Sequence, residues 1–150
     1  MSLDEASAAG NGRLIQAPTD FTDDDGSADP RLREALAGDD ADGAFDLLLA
    51  GARLLVPIVA VAVGDGGGEK SSHMASVSLV QADGRRGLLA FTSLETLHAW
   101  DPGARPVPAR APDVARAALD EGADGVLVDV AGPVRFAIDG PTLRALAGPP

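Results

Sequence analysis

The residues Gly64-Asp65-Gly66-Gly67-Gly68-Glu69-Lys70-Ser71-Ser72-His73 gather glycines, the chain's single lysine, two serines and one of its two histidines. Such a mixture can bind phosphate or support a nucleophile, and each use demands a spacing. A phosphate loop reads G-x-x-x-x-G-K-[ST] between a strand and a helix. Its second glycine lets backbone N–H groups close round the phosphates, and the helix N-terminus faces their charge. Counting from Gly64, Glu69 stands where that glycine is required, and a carboxylate there repels phosphate. The stretch that follows, Met74 to Ala82, alternates apolar and small polar residues as a strand does, so the helix is missing too. No nucleotide is expected, and the loop is read as a flexible connection.

Ser71 or Ser72 beside His73 fares no better as a nucleophile and base. The chain has no G-x-S-x-G elbow, and neighbours on a strand point to opposite faces. His73 and His98 lie 25 positions apart, and there is no cysteine, so neither a zinc site nor a disulfide is expected. Asp129 at a strand end and Asp139 at a helix start are read as turn and cap chemistry. The reading therefore contains no catalytic residue, no metal and no cofactor.

Any other functional residue must be positioned by the body of the chain. At 150 residues it suits one domain. The formal net charge is -11, and residues 1–46 hold 12 acids against 3 arginines while the remainder holds 11 acids against 9 basic residues. A near-balanced body argues against nucleic acid, which needs a concentrated basic surface. The N-terminus has no positive segment followed by an apolar one, and the longest apolar run, Leu54 to Val63, is ten residues. Neither a secretory signal nor a membrane helix is expected, which predicts a cytoplasmic protein. Residues 1–28 lack apolar periodicity and are expected to form a disordered acidic tail, leaving 29–150 as the domain.

Within the domain, Asp29-Pro30 opens a short helix that stops at Gly38, and a second helix follows over 41–50. Arg53 to Val63 reads as a strand covered on both faces, with Pro57 placing it at an edge or at a bulge. Met74 to Ala82 and Gly87 to Phe91 form a hairpin around Asp83-Gly84. Thr92-Ser93-Leu94-Glu95 matches a capping box with Thr92 as the cap, starting a helix that runs to Trp100. The proline-rich stretch to Pro112 is a linker with a short strand at 107–109, followed by a helix over 113–121. Gly125 to Val130 is a buried strand, Val134 to Ile138 its partner, and Asp139-Gly140-Pro141 opens the last helix. The fold class is α+β, with a mixed or mostly antiparallel sheet of about five strands and helices packed against it.

The segment Gly87 to Trp100, the earlier Leu55-Val56-Pro57 and the later Gly125-Val126-Leu127-Val128-Asp129-Val130 together resemble the SseB protein N-terminal domain family, over roughly Leu32 to Leu146. Where that family often has Asn-Pro after the last buried strand, this chain has Asp129-Val130. The resemblance implies no established enzymatic activity, and it carries an association with translation. The expected function is therefore that of a small non-catalytic protein-interaction module with an unknown protein partner. Its binding corner would be Phe91, Thr92 and Ser93 with Trp100, the only tryptophan, since that residue type is a preferred interface anchor. The alternative is an enzyme or small-molecule binder linked to serine metabolism.

Overall fold

The computed structural model describes residues 3–8, 21, 23–63 and 71–149. The Gly-rich stretch 64–70, with Lys70, lies outside the described residues, as do the side chains of residues 71–74, among them Ser71, Ser72 and His73. The elements are β1 (Leu3–Ala8), α1 (Pro30–Ala37), α2 (Ala41–Leu49), β2 (Arg53–Val63), β3 (Ser71–Gln81) and β4 (Arg86–Ala90). They continue with α3 (Leu94–Trp100), β5 (Arg105–Arg110), α4 (Ala111–Asp120), β6 (Gly125–Val128), β7 (Phe136–Asp139) and α5 (Gly140–Ala147). The class is α+β, as expected.

Local chemistry accounts for the helix starts. The Asp29 side chain accepts from the Arg31 N–H at 2.9 Å with Pro30 at the first position, and that of Asp40 accepts from the Gly43 N–H at 3.0 Å. A Cβ on Gly43 would stand 2.2 Å from the Asp40 carboxyl, so the second cap needs glycine there.

The seven-stranded sheet runs β5-β2-β3-β4-β6-β7, with β1 attached to β3. All pairings are antiparallel except that of β4 with β6, where Gly87 to Ala90 stand beside Gly125 to Val128. The central strands β4 and β6 and the first half of β2 are buried on both faces and divide two cores by alternation. Leu54 and Val56, Leu88 and Ala90, Val126 and Val128 face α1, α2, α4 and α5. Leu55, Leu89, Phe91 and Leu127 face α3 with Leu97.

Two expectations about prolines are corrected. β2 is neither an edge nor bulged, since it pairs β5 over 53–58 and β3 over 58–63. The Leu55 N–H and C=O bond Phe91 at 2.7 and 2.8 Å. By alternation Pro57 turns the same way, at the seam between that single bridge and the start of the β3 pairing, where no donor is required. The stretch 105–110, expected as a linker with a short strand at its centre, is the edge strand β5. It bonds β2 through Arg105, Val107 and Ala109, so Pro106 and Pro108 turn outward, where a missing N–H costs nothing and leaves an edge that cannot accept a further strand.

Among the described residues the strand count is seven against about five expected; the differences are β1 and the full-length β5 in place of a short strand. β1 lies in the stretch 1–28 expected to be disordered, and it pairs with Val77 to Gln81. Residues 24–28 of that stretch also differ from the expectation, because polar bonds rather than apolar periodicity hold them, as described next.

Candidate functional site

β4 and β6 are parallel and end side by side, so the residues that follow them meet. Thr92 follows β4 and Asp129 follows β6. Asp129 is 5% exposed and its backbone has φ 56, in the left-handed region where Asp and Asn are the best tolerated residues after glycine. Its carboxylate accepts three bonds: the Thr92 N–H at 2.8 Å, the Thr92 hydroxyl at 2.6 Å and the Thr96 hydroxyl at 2.8 Å. The turn is fixed on its other side by the Gly132 N–H, which donates to the Asp129 carbonyl at 2.9 Å.

This latch shifts the start of α3 by one residue from the expected capping box. Thr92 is occupied by Asp129, and Ser93 takes the cap position. The Ser93 hydroxyl accepts from the Thr96 N–H at 3.1 Å, while the Thr96 hydroxyl lies 3.4 Å from the Ser93 N–H. Glu95 points to solvent.

The segment 24–28 lies over the same corner. Arg53, at the start of β2, donates to the Thr92 carbonyl at 2.8 Å and to the Ser27 carbonyl, and it grips both Asp24 oxygens at 2.6 and 2.9 Å. Both side chains of that ion pair are shielded, at 11% and 15% exposure. Gly26 has φ 83, its carbonyl accepts from the Leu94 N–H at 2.8 Å, and a Cβ there would stand 2.3 Å from the Leu94 side chain. Only glycine lets the strap approach so closely. Beside it, bonds from the Ser27 hydroxyl and N–H hold the Asp25 carboxyl below the usual aspartate value.

Strap, latch and helix α1 enclose an open cleft of about 530 Å³. Gly26, Ser27 and Ala28 form one wall, and Arg33, Leu36 and Ala37 of α1 another. Thr92, Ser93, Thr96 and Asp129 form the polar end, and Pro133 and Val134 close the rim. Val134 is one of two large apolar side chains exposed among the described residues.

The structure separates the residues expected to bind. Phe91 is fully buried in the core beneath α3, and Trp100 is half-buried against it with ring centroids 5.8 Å apart. Both belong to packing. Thr92 and Ser93 are buried but line the cleft, with Thr92 turned into the latch and Ser93 into the cap. His98 is exposed on α3, away from the cleft. Sequence reasoning missed Thr96, Arg53, Asp24 and the role of Asp129. The one available signal was the pair of matching strands Gly-Leu-Leu-Ala and Gly-Val-Leu-Val, each followed at once or one residue later by a polar side chain.

Among the described residues no group of three His, Asp or Glu side chains can hold a metal, and no helix is long and apolar enough to cross a membrane. No curated protein and no solved structure matches the chain. The pattern of the SseB protein N-terminal domain matches residues 31–145, from the second residue of α1 into α5, and the chain belongs to that family.

Proposed function

We propose that this protein is a non-catalytic cytoplasmic recognition module that holds a segment of a protein partner in the cleft between α1 and the 129–134 loop. The observation that supports this most is the commitment of Asp129. A general base needs an oxygen within reach of a substrate proton, and this carboxylate already accepts from three donors of its own chain. The Thr92 and Thr96 hydroxyls spend their protons on it, so neither is poised as a nucleophile, and no histidine among the described residues lines the cleft. What remains is the apolar surface of Leu36 and Ala37 in one wall and of Pro133 and Val134 at the rim, beside the exposed charges of Asp25, Arg33 and Glu95, a mixture typical of protein interfaces. The association with translation that the family resemblance implies makes that apparatus the first place to seek the partner.

A small molecule, such as a serine-related metabolite, is the second reading. It is favoured by the place of the cleft beyond the carboxyl ends of two parallel strands, where α/β sheets bind ligands, and by a volume in the range of ligand sites.

Ala37→Trp tests both. Ala37 is exposed at the end of α1, so the ring fills the cleft without entering the core. Affinity capture from cytoplasmic extract should recover a partner with the parent and lose it with the variant at equal melting temperature. Saturable calorimetric binding of serine to the parent alone would favour the second reading. A variant that captures the same proteins as the parent removes this cleft from the function.

A further inference from the structure

The two ends of the sheet path differ. β5 is closed to further pairing by Pro106 and Pro108, whereas β7 at the other end has no proline and, among the described residues, pairs only β6. The Asp129 N–H bonds Ala90, so by alternation the odd-numbered residues of β6 turn to β4 and the even-numbered ones to β7. Phe136 and Ile138 are therefore the residues of β7 that bond β6, and the N–H and C=O of Ala137 turn outward, with no partner among the described residues.

Beside this edge runs a second groove of about 320 Å³, which shares Leu36 and Val134 with the cleft above but not Ala37. Its floor is apolar, from Leu36, Phe45, Leu48 and the exposed Val134, and Asp39 and Asp40 of the α1–α2 turn stand at its rim against one cation, Arg135. Asp42 and Asp46 add exposed negative charge on α2.

We propose that β7 and this groove dock an extended basic segment of a protein partner as an added strand. The segment bonds the outward groups of Ala137, as added strands do in β-augmentation. Alternate apolar side chains enter the groove between α2 and Val134, and lysine or arginine at one end meets Asp39 and Asp40. Charge complementarity sets the choice of partner, because the chain as a whole carries -11 and an acidic segment is repelled. This rests on the protein-recognition reading and gives it a mode of binding at a second place.

The probe is a ten-residue peptide alternating valine and threonine with two lysines at one end, beside its twin with two glutamates. Binding is read by fluorescence anisotropy and by amide NMR shifts of the full chain. The lysine peptide should bind the parent and shift the amides of 134–138. Ala137→Pro removes one outward N–H and no bond to β6, so it should weaken binding about tenfold or more at nearly unchanged melting temperature. Asp39→Asn with Asp40→Asn keeps the left-handed turn and the α2 cap while removing two charges, and should weaken binding about two- to thirtyfold. Ala37→Trp, in the other cleft, should leave peptide binding intact even where it abolishes partner capture. Four results would overturn the proposal: no binding of the lysine peptide, equal binding of the glutamate twin, parent-like binding by Ala137→Pro, or a loss seen only in Ala37→Trp. A parent dimer that Ala137→Pro dissolves would overturn it as well, since the edge then belongs to a second copy.

Discussion

Replacing Asp129 tests the latch most sharply, because three substitutions separate its hydrogen bonds from its backbone conformation. Asp129→Ala leaves the Thr92 N–H buried without an acceptor, which costs about 1 to 3 kcal/mol. The Thr92 hydroxyl loses its acceptor for about 1 kcal/mol more, while the Thr96 hydroxyl retains the Ser93 carbonyl at 3.1 Å. The sum is about 3 kcal/mol, a fall in melting temperature of roughly 9 °C for a domain of this size. Asp129→Gly loses the same bonds but relaxes the positive φ, so it should recover about 1 kcal/mol relative to alanine. Asp129→Asn keeps the left-handed preference and an oxygen for the Thr92 N–H, and its amide can donate to the Thr92 hydroxyl after that hydroxyl rotates. It should cost about 1 kcal/mol, the difference between a charged and a neutral acceptor. Urea melts of the three variants read the order Asn, Gly, Ala from most to least stable. An alanine variant within about 1 kcal/mol of the parent, or no difference between Asn and Ala, would refute the latch.

Ser93→Ala should cost about 1 kcal/mol as the loss of a helix cap, and Thr92→Ala should cost at least as much through Asp129, both read by denaturant melts. Arg53→Ala should cost about 2 kcal/mol by abandoning Asp24 and two carbonyls, and it should raise hydrogen exchange at the Leu94 amide as the strap loosens. Glu121 supplies a pH test. Burial pushes its carboxyl above the usual glutamate value, against the lowering effect of the Ser76 hydroxyl and the Arg86 charge. The folded chain therefore holds this proton more tightly than the unfolded chain does. That stabilising contribution is complete below the usual glutamate value and is lost as pH rises through the raised one. Glu121→Gln should flatten the pH dependence of stability across that window, and an unchanged profile would contradict the assignment.

Much of the fold is legible because it is local. Asp29-Pro30 and Asp40 are caps that need only their own next residues, and the two-sided burial of β2 shows in its lack of alternation. The errors come from contacts distant in sequence. Thr-x-x-Glu from Thr92 and Ser-x-x-Thr from Ser93 are both plausible caps, and what decides between them is Asp129, 37 residues further on. Prolines 106 and 108 exclude an interior strand but not an edge strand whose inward residues alternate with them. Trp100 reads as an interface anchor because it is the only tryptophan, and its half-buried ring packs against Phe91, a contact its position in the sequence does not announce. The strap was hidden for a different reason. Residues 24–28 bury little apolar surface, and they are held by Arg53 of β2 and the Leu94 N–H, for which nothing in their own composition gives a sign.

That strap bears on how the site relates to its family. The shared domain pattern begins at residue 31, so the latch of Thr92, Thr96 and Asp129 and the wall from α1 all lie inside it, while the wall of Gly26, Ser27 and Ala28 lies before it. The strap's anchor, Arg53, is inside the pattern, and its partner Asp24 is outside. The cleft is thus assembled across the boundary of the matched pattern: a polar end within it, closed on one side by residues that precede it. A ligand seated there touches both parts, so its specificity is set partly by residues that the family pattern does not describe. The β7 groove has the opposite character. Its lining, from Ala35 to Thr142, lies wholly within the pattern, and a partner strand docked there reads only the shared domain.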